Sequence, residues 1–201
     1  MDRNTTKQVK TEILITGFGG QGIVMAGQVM GKAASLLDHK ESTLTQSYGP
    51  EARGGACSAQ VIISDLPIHY PYVRNPDILV CMSQAGYDKY GPLLKEDGVL
   101  IFDQDIVHPP ESLKAVIFPV PATRMAEELG NKMMANIVML GFAIATTGTV
   151  TQQAMLKSVS ASVPRGTEEA NAAAFNKGFE FGQAVLKAKR KKAAAAKGAA
   201  L

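Results

Sequence analysis

Ile13-Leu14-Ile15-Thr16-Gly17-Phe18-Gly19-Gly20-Gln21-Gly22 is the stretch that decides the fold of this 201-residue chain. An apolar run ends on a cluster of glycines and passes directly into a segment where Ile23, Ala26, Gly27, Met30, Ala33, Ala34 and Leu37 recur at helical spacing. The order is strand, glycine turn, helix. Glycines serve three needs in such a turn: a tight reversal, backbone approach to an anion without a Cβ in the way, and close packing of the helix on its strand. The amide N–H groups and the positive end of the following helix then favour a phosphate or a carboxylate.

Working outward, apolar runs alternate with helical patterns. Ser42 to Gln46 reads as a second strand, Ala59 to Ser64 as a third, and Asp77 to Met82 as a parallel strand buried on both faces. A helix is expected from about Ser83 to Leu94, then strands at Gly98 to Phe102 and Ala115 to Phe118, and a short helix from Thr123 to Leu129. The pattern predicts an α/β fold: a Rossmann-like, doubly wound, mainly parallel sheet with helices on both faces and a helical C-terminal part. Lys132 to Thr147 is apolar almost all the way round and must be buried on more than one side, either deep in this domain or against a partner that uses Met133, Met134 and Met139. A last helix starts near Thr167, with Glu168 and Glu169 in its first turn, and Phe175, Phe179, Gly182 and Leu186 on its buried face. The expected organisation is a flexible N-terminus over 1–11, one folded domain over 12–187, and a basic, disordered tail over 188–201.

The net charge of +3 and pI of 8.8 mislead if read for the whole chain. Six cations (Lys187, Lys189, Arg190, Lys191, Lys192, Lys197) fall in the last fifteen residues; without them 15 basic residues face 18 acidic ones, so the rest carries about −3. The basicity therefore belongs to the tail and does not indicate a nucleic-acid surface, and the absence of Trp argues against a base-stacking platform. Cys57 and Cys81 are too few for an iron–sulfur cluster or a structural zinc site and read as buried, reduced thiols. His39, His69 and His108 are scattered, as surface residues would be. No secretory h-region and no apolar run of membrane-spanning length appears, so a cytoplasmic location is expected.

A second concentrated signal lies between the second and third strands: Ser47-Tyr48-Gly49-Pro50-Glu51-Ala52-Arg53-Gly54-Gly55. Gly-Pro and Gly-Gly set turns, while Tyr48, Glu51 and Arg53 add an aromatic ring and two charges. In a doubly wound sheet this loop should sit beside the first glycine turn, where carboxyl ends of neighbouring strands face one crevice. The second strand ends on Gln46 and Ser47 with no carboxylate to hold a ribose, which speaks against simple NAD-dependent hydride transfer. A self-sufficient NAD or flavin enzyme and a ligand-free assembly scaffold stay open as rival readings.

GFGGQG after an apolar strand, SYGPEARGG some 25 residues later, AQVIISDLPI and a DILV strand together resemble the gamma subunit, or gamma domain, of the 2-oxoacid:ferredoxin (acceptor) oxidoreductases, most closely the 2-oxoglutarate enzymes, from about Ile13 to Leu186. The resemblance implies a complex that converts a 2-oxo acid and coenzyme A to an acyl-CoA and CO2, reversibly in some organisms, with 2-oxoglutarate and succinyl-CoA as the expected pair and pyruvate and other 2-oxo acids open. It implies thiamine diphosphate with Mg2+ and [4Fe-4S] clusters on alpha, beta and ferredoxin-like delta partners, with ferredoxin or another acceptor taking the electrons. The chain itself lacks a Gly-Asp-Gly thiamine signature, its nearest approach being Glu96-Asp97-Gly98, and lacks a nucleophile-elbow serine and paired metal-ligand histidines. No catalytic residue, metal ligand or bound cofactor is expected in it. The resemblance places ligand or interface contacts on Gly17, Gly19, Gly20, Gln21 and Gly22, and on Ser47, Tyr48, Gly49, Glu51, Arg53, Gly54 and Gly55.

Overall fold

A computed structural model of the chain describes residues 10–48 and 56–198. Six strands form one sheet: β1 (Lys10–Phe18), β2 (Glu41–Ser47), β3 (Ala56–Ser64), β4 (Ile78–Cys81), β5 (Val99–Asp103) and β6 (Val116–Val120), in the order β2-β3-β1-β4-β5-β6. The pairings β1–β4, β4–β5 and β5–β6 are parallel, whereas β3 runs antiparallel to both β1 and β2. The sheet is thus mainly parallel and Rossmann-like with an antiparallel hairpin at one side. That hairpin corrects the placement of the second strand, which the sequence puts next to β1. Only eight residues separate β2 from β3. A parallel crossover needs a dozen or more, so the chain must turn back on itself. The result interposes β3 between β1 and β2 and sends β2 to the edge.

The helices are α1 (Ile23–Lys32), α2 (Gln84–Tyr90), α3 (Ala122–Glu128), α4 (Ala135–Thr147), α5 (Gln152–Ser162) and α6 (Glu168–Gly198). Alternation along the strands divides the core. Ile13, Ile15, Val61, Val80 and Ile101 face the larger cluster with α1 and α4; Leu14, Leu79, Leu100 and Phe102 face a smaller one with Tyr87, Tyr90 and Val107. Helix α4 is buried from Ala135 to Ile144, which settles its place deep in this domain. Met134 and Met139 belong to that core, and only Met133 among the three methionines is exposed, at 57%.

Helix α6 overruns the boundary expected at residue 187 and continues to Gly198. Ala and Lys are strong helix formers, the cations complement the negative end of the helix dipole, and Lys189 is docked on the sheet, so the helix has local and tertiary reasons to persist. Lys189 Nζ lies 3.8 Å from the centre of the Phe118 ring and donates to the Ile117 carbonyl at 3.1 Å. Near its start, Thr167 takes the N-cap position, its carbonyl accepting from the Asn171 N–H at 3.0 Å, but its hydroxyl turns back to donate to the Pro164 carbonyl.

Candidate functional site: the crevice at the glycine turn

The turn from β1 to α1 takes its shape from two left-handed residues, Gly20 (φ 97°) and Gly22 (φ 70°). Gly22 is the N-cap of α1, and neither a capping side chain nor an acidic residue occupies that first turn. Its donors are thus left uncapped by the chain. Half of the turn is closed by its own neighbours. Gln21 Oε1 accepts from the Phe18 N–H at 2.7 Å, and Gln21 Nε2 donates to the Met82 carbonyl at 3.0 Å, bridging the turn after β1 to the loop after β4. Asn136 of α4 donates to the Gly22 carbonyl at 3.2 Å. A Cβ on Gly17 would lie 2.5 Å from Gln21 Oε1 and 2.7 Å from Ile23 Cδ1, and one on Gly22 would strike Asn136. The other half is open: Gly19 and Gly20 are exposed, with nothing within 4 Å of where a Cβ would stand.

This is the point where the sheet's connections diverge, since β1 leads to α1 on one face and β4 to α2 on the other. Ligands of open α/β sheets bind in such crevices. A cavity of about 260 Å³ lies there, lined by Gln21, Met82, Ile106, Thr123, Lys132 and Met133 among others. A second, of about 440 Å³, adjoins Gly20 and Gly22 and is lined by Asn131, Asn136, Asn171 and, again, Met133. The crevice is therefore flanked by one chamber with a cation, Lys132, and one with three uncharged amides. Sequence reading missed Thr123, Lys132 and the asparagines because they come from the ends of β6, α3, α4 and α6, far from the glycines in sequence. The only signal available was position, and only for Thr123, which begins the helix that follows β6.

Burial pushes the Cys81 thiol far up, and the Cys57 thiol up as well, so both stay neutral near pH 7. Both are free and buried, and the three histidines are exposed. The Asp103 carboxylate, wholly buried at the end of β5, accepts from Thr123 N–H (2.9 Å), Thr123 hydroxyl (2.6 Å) and Asp105 N–H (3.2 Å). It ties β5 to the start of α3. Among the described residues no group of three His, Cys, Asp or Glu is placed to hold a metal, and no helix is long and apolar enough to cross a membrane. The geometry can receive an anionic group on bare backbone, but among the described residues it assembles no nucleophile and base.

Of the second loop, Ser47 and Tyr48 are described; Gly49, Pro50, Glu51, Arg53, Gly54 and Gly55 lie outside the described residues. Ser47 pairs with Ser58, which itself pairs with Thr16, and Ala56 pairs with Phe18 of the glycine turn. The chain thus leaves at exposed Tyr48 and re-enters at Ala56 on the same end of the sheet as Gly19 and Gly20. A hairpin, rather than neighbouring parallel strands, brings those flanks to the crevice.

The family described as pyruvate ferredoxin/flavodoxin oxidoreductase matches residues 12–181. The chain belongs to this family. Within it, the 2-oxoglutarate synthase subunit KorC of Methanocaldococcus jannaschii is 49% identical over 176 residues, covering 86% of this chain and 94% of that protein. The pyruvate synthase subunit PorC of Methanothermobacter marburgensis is 34% identical over 172 residues, covering 84% and 96%. Among solved structures, the gamma subunit of a keto/oxoacid ferredoxin oxidoreductase from Geobacter sulfurreducens superposes with a TM-score of 0.78 at 40% identity, covering 87% of this chain and 99% of that one. The family match spans nearly the whole sheet, both cavities and the first half of α6. It places the chain with the gamma subunits of multi-subunit 2-oxoacid oxidoreductases, the EC 1.2.7 type.

Proposed function

We propose that the chain is the gamma-type subunit of a 2-oxoacid:acceptor oxidoreductase whose substrate is 2-oxoglutarate. The complex would convert 2-oxoglutarate and coenzyme A to succinyl-CoA, CO2, a proton and two electrons for ferredoxin or another acceptor. Support for that substrate is the 49% identity to a 2-oxoglutarate synthase subunit, against 34% to a pyruvate synthase subunit. Alpha, beta and ferredoxin-like delta partners would bring the thiamine diphosphate, Mg2+ and iron–sulfur clusters. The two cysteines and the scattered histidines of this chain suit a subunit that carries none of them.

The observation that carries this subunit's own role is the half-open glycine turn. Gly19 and Gly20 offer bare backbone beside an uncapped helix start, suited to a phosphate of coenzyme A or to an anionic group on a neighbouring subunit. Arg53 and Glu51, which fall between Tyr48 and Ala56 in the sequence, are assigned to the same contact by their place in the motif alone. The test is a complex reassembled from its subunits, assayed by coenzyme-A-dependent reduction of a viologen dye. With wild-type gamma chain 2-oxoglutarate should outperform pyruvate, and Arg53→Ala should raise the coenzyme A requirement or loosen subunit association. A complex unaffected on both counts removes the proposed role, while preference for pyruvate removes the substrate assignment. A scaffold reading draws on Gln21 and Asn136 closing the other half of the turn; it expects Gly19→Ala to leave the coenzyme A requirement unchanged.

A further inference from the structure

The last turns of α6 take no part in the crevice and carry one sign of charge. From residue 181 to the C-terminus there is no acidic residue. Lys187, Arg190 and Lys191 follow one another at the three- and four-residue spacing that sets side chains on one helix face. With Ala145, Gln183 and Leu186 they line an open groove of about 620 Å³. None of these three cations has an ion-pair partner among the described residues. Lys189 points elsewhere, over Phe118 and onto the Ile117 carbonyl. The cations are thus sorted: one holds the helix to the sheet, and three surround an aliphatic floor.

We propose that this groove docks an acidic segment of a partner protein, its carboxylates meeting Lys187, Arg190 and Lys191 and an aliphatic side chain between them resting on Ala145 and Leu186. Charge complementarity selects the partner, since three cations without an ion-pair partner among the described residues line the groove and no carboxylate does. A nucleic acid fits less well because no aromatic side chain lines the groove to stack a base. A lipid surface fits less well because the apolar residues of α6 beyond Leu186 are all alanines, too small to anchor a helix in a bilayer interface. The first turns of α6 line the amide cavity beside the glycine turn, while Lys187 lies some nineteen residues on, or about 30 Å along the axis. A partner held here leaves the crevice free.

The proposal is tested on the full chain by fluorescence anisotropy with a labelled synthetic peptide of alternating Glu and Leu. It predicts saturable binding that weakens steeply with added salt, and a loss of about tenfold or more in the K187E/R190E/K191E variant, with less than about twofold in K192E. Circular dichroism and melting verify that the triple variant is folded. A single-stranded oligonucleotide of equal net charge and phosphatidylserine vesicles are titrated in parallel. No peptide binding, undiminished binding by the triple variant, an equal loss in K192E, or tighter binding of the oligonucleotide or vesicles overturns it. Neither coenzyme A nor a 2-oxo acid enters the assay, so its outcome is independent of the reading of the glycine turn.

Discussion

Gly17 and Gly19 stand two residues apart and answer different demands. A methyl on Gly17 meets Gln21 and Ile23 at once, so Gly17→Ala should cost about 1–3 kcal/mol in a denaturant melt. Gly19→Ala meets nothing and needs no unusual backbone angle, so stability should stay within about 0.5 kcal/mol, while the extra methyl projects into the open half of the turn. On the proposed reading, the coenzyme A requirement of the reassembled complex then rises. Gln21→Leu strands the Phe18 N–H and the Met82 carbonyl together and should lower stability by about 1–3 kcal/mol. Glutamate at that site would keep the acceptor for Phe18 and lose the donor for Met82, recovering part of that loss. The glycines were legible because their spacing is local. The role of Gln21 was not, since its second partner is 61 residues away.

At the scale of elements, the tightest contact is between α4 and α6. A Cβ on Gly141 would run into the Phe175 carbonyl, and one on Gly178 into the Val138 carbonyl, so the two helix backbones touch where each carries glycine. Gly178→Ala should force the helices apart and cost more than about 2 kcal/mol, read as a fall in melting temperature of several degrees. Helix α6 is also tied to α3 by Lys177 and Glu128, 2.5 Å apart. The lysine holds the Glu128 carboxyl below the usual glutamate range, chiefly through their hydrogen bond. That contribution is present above the unfolded value and is lost as pH falls through the lower folded one. Lys177→Ala should flatten this acidic part of the stability curve, as followed by melts at stepped pH, with a small amplitude because the pair is exposed. Most strands and the first helix were readable from apolar runs and period. Helix α5 was not, because its buried face is built from Ala154, Met155, Ser158 and Val159, too small and polar a stripe to announce itself. The hairpin escaped because the strand residues of β2 carry no sign of their direction; only the short connection does.

For the molecule as a whole, the fold was legible to a greater extent than the chemistry. The crevice was expected where the glycine turn stands, yet its lining comes from five further chain segments that folding alone brings together. The purified chain by itself should show no oxidation of 2-oxoglutarate, pyruvate or branched 2-oxo acids in a viologen assay, because among the described residues no nucleophile–base pair faces the crevice. Turnover by the isolated chain would require a different account of the family reading. The contact of Lys189 with β6 has a practical consequence. Strand β6 is an outer strand, and this lysine lies across its ring face and one of its carbonyls. An expression fragment cut at residue 187 would uncover both, leaving a bare strand margin able to recruit other chains, and solubility in the test tube would fall although the body of the domain remained whole.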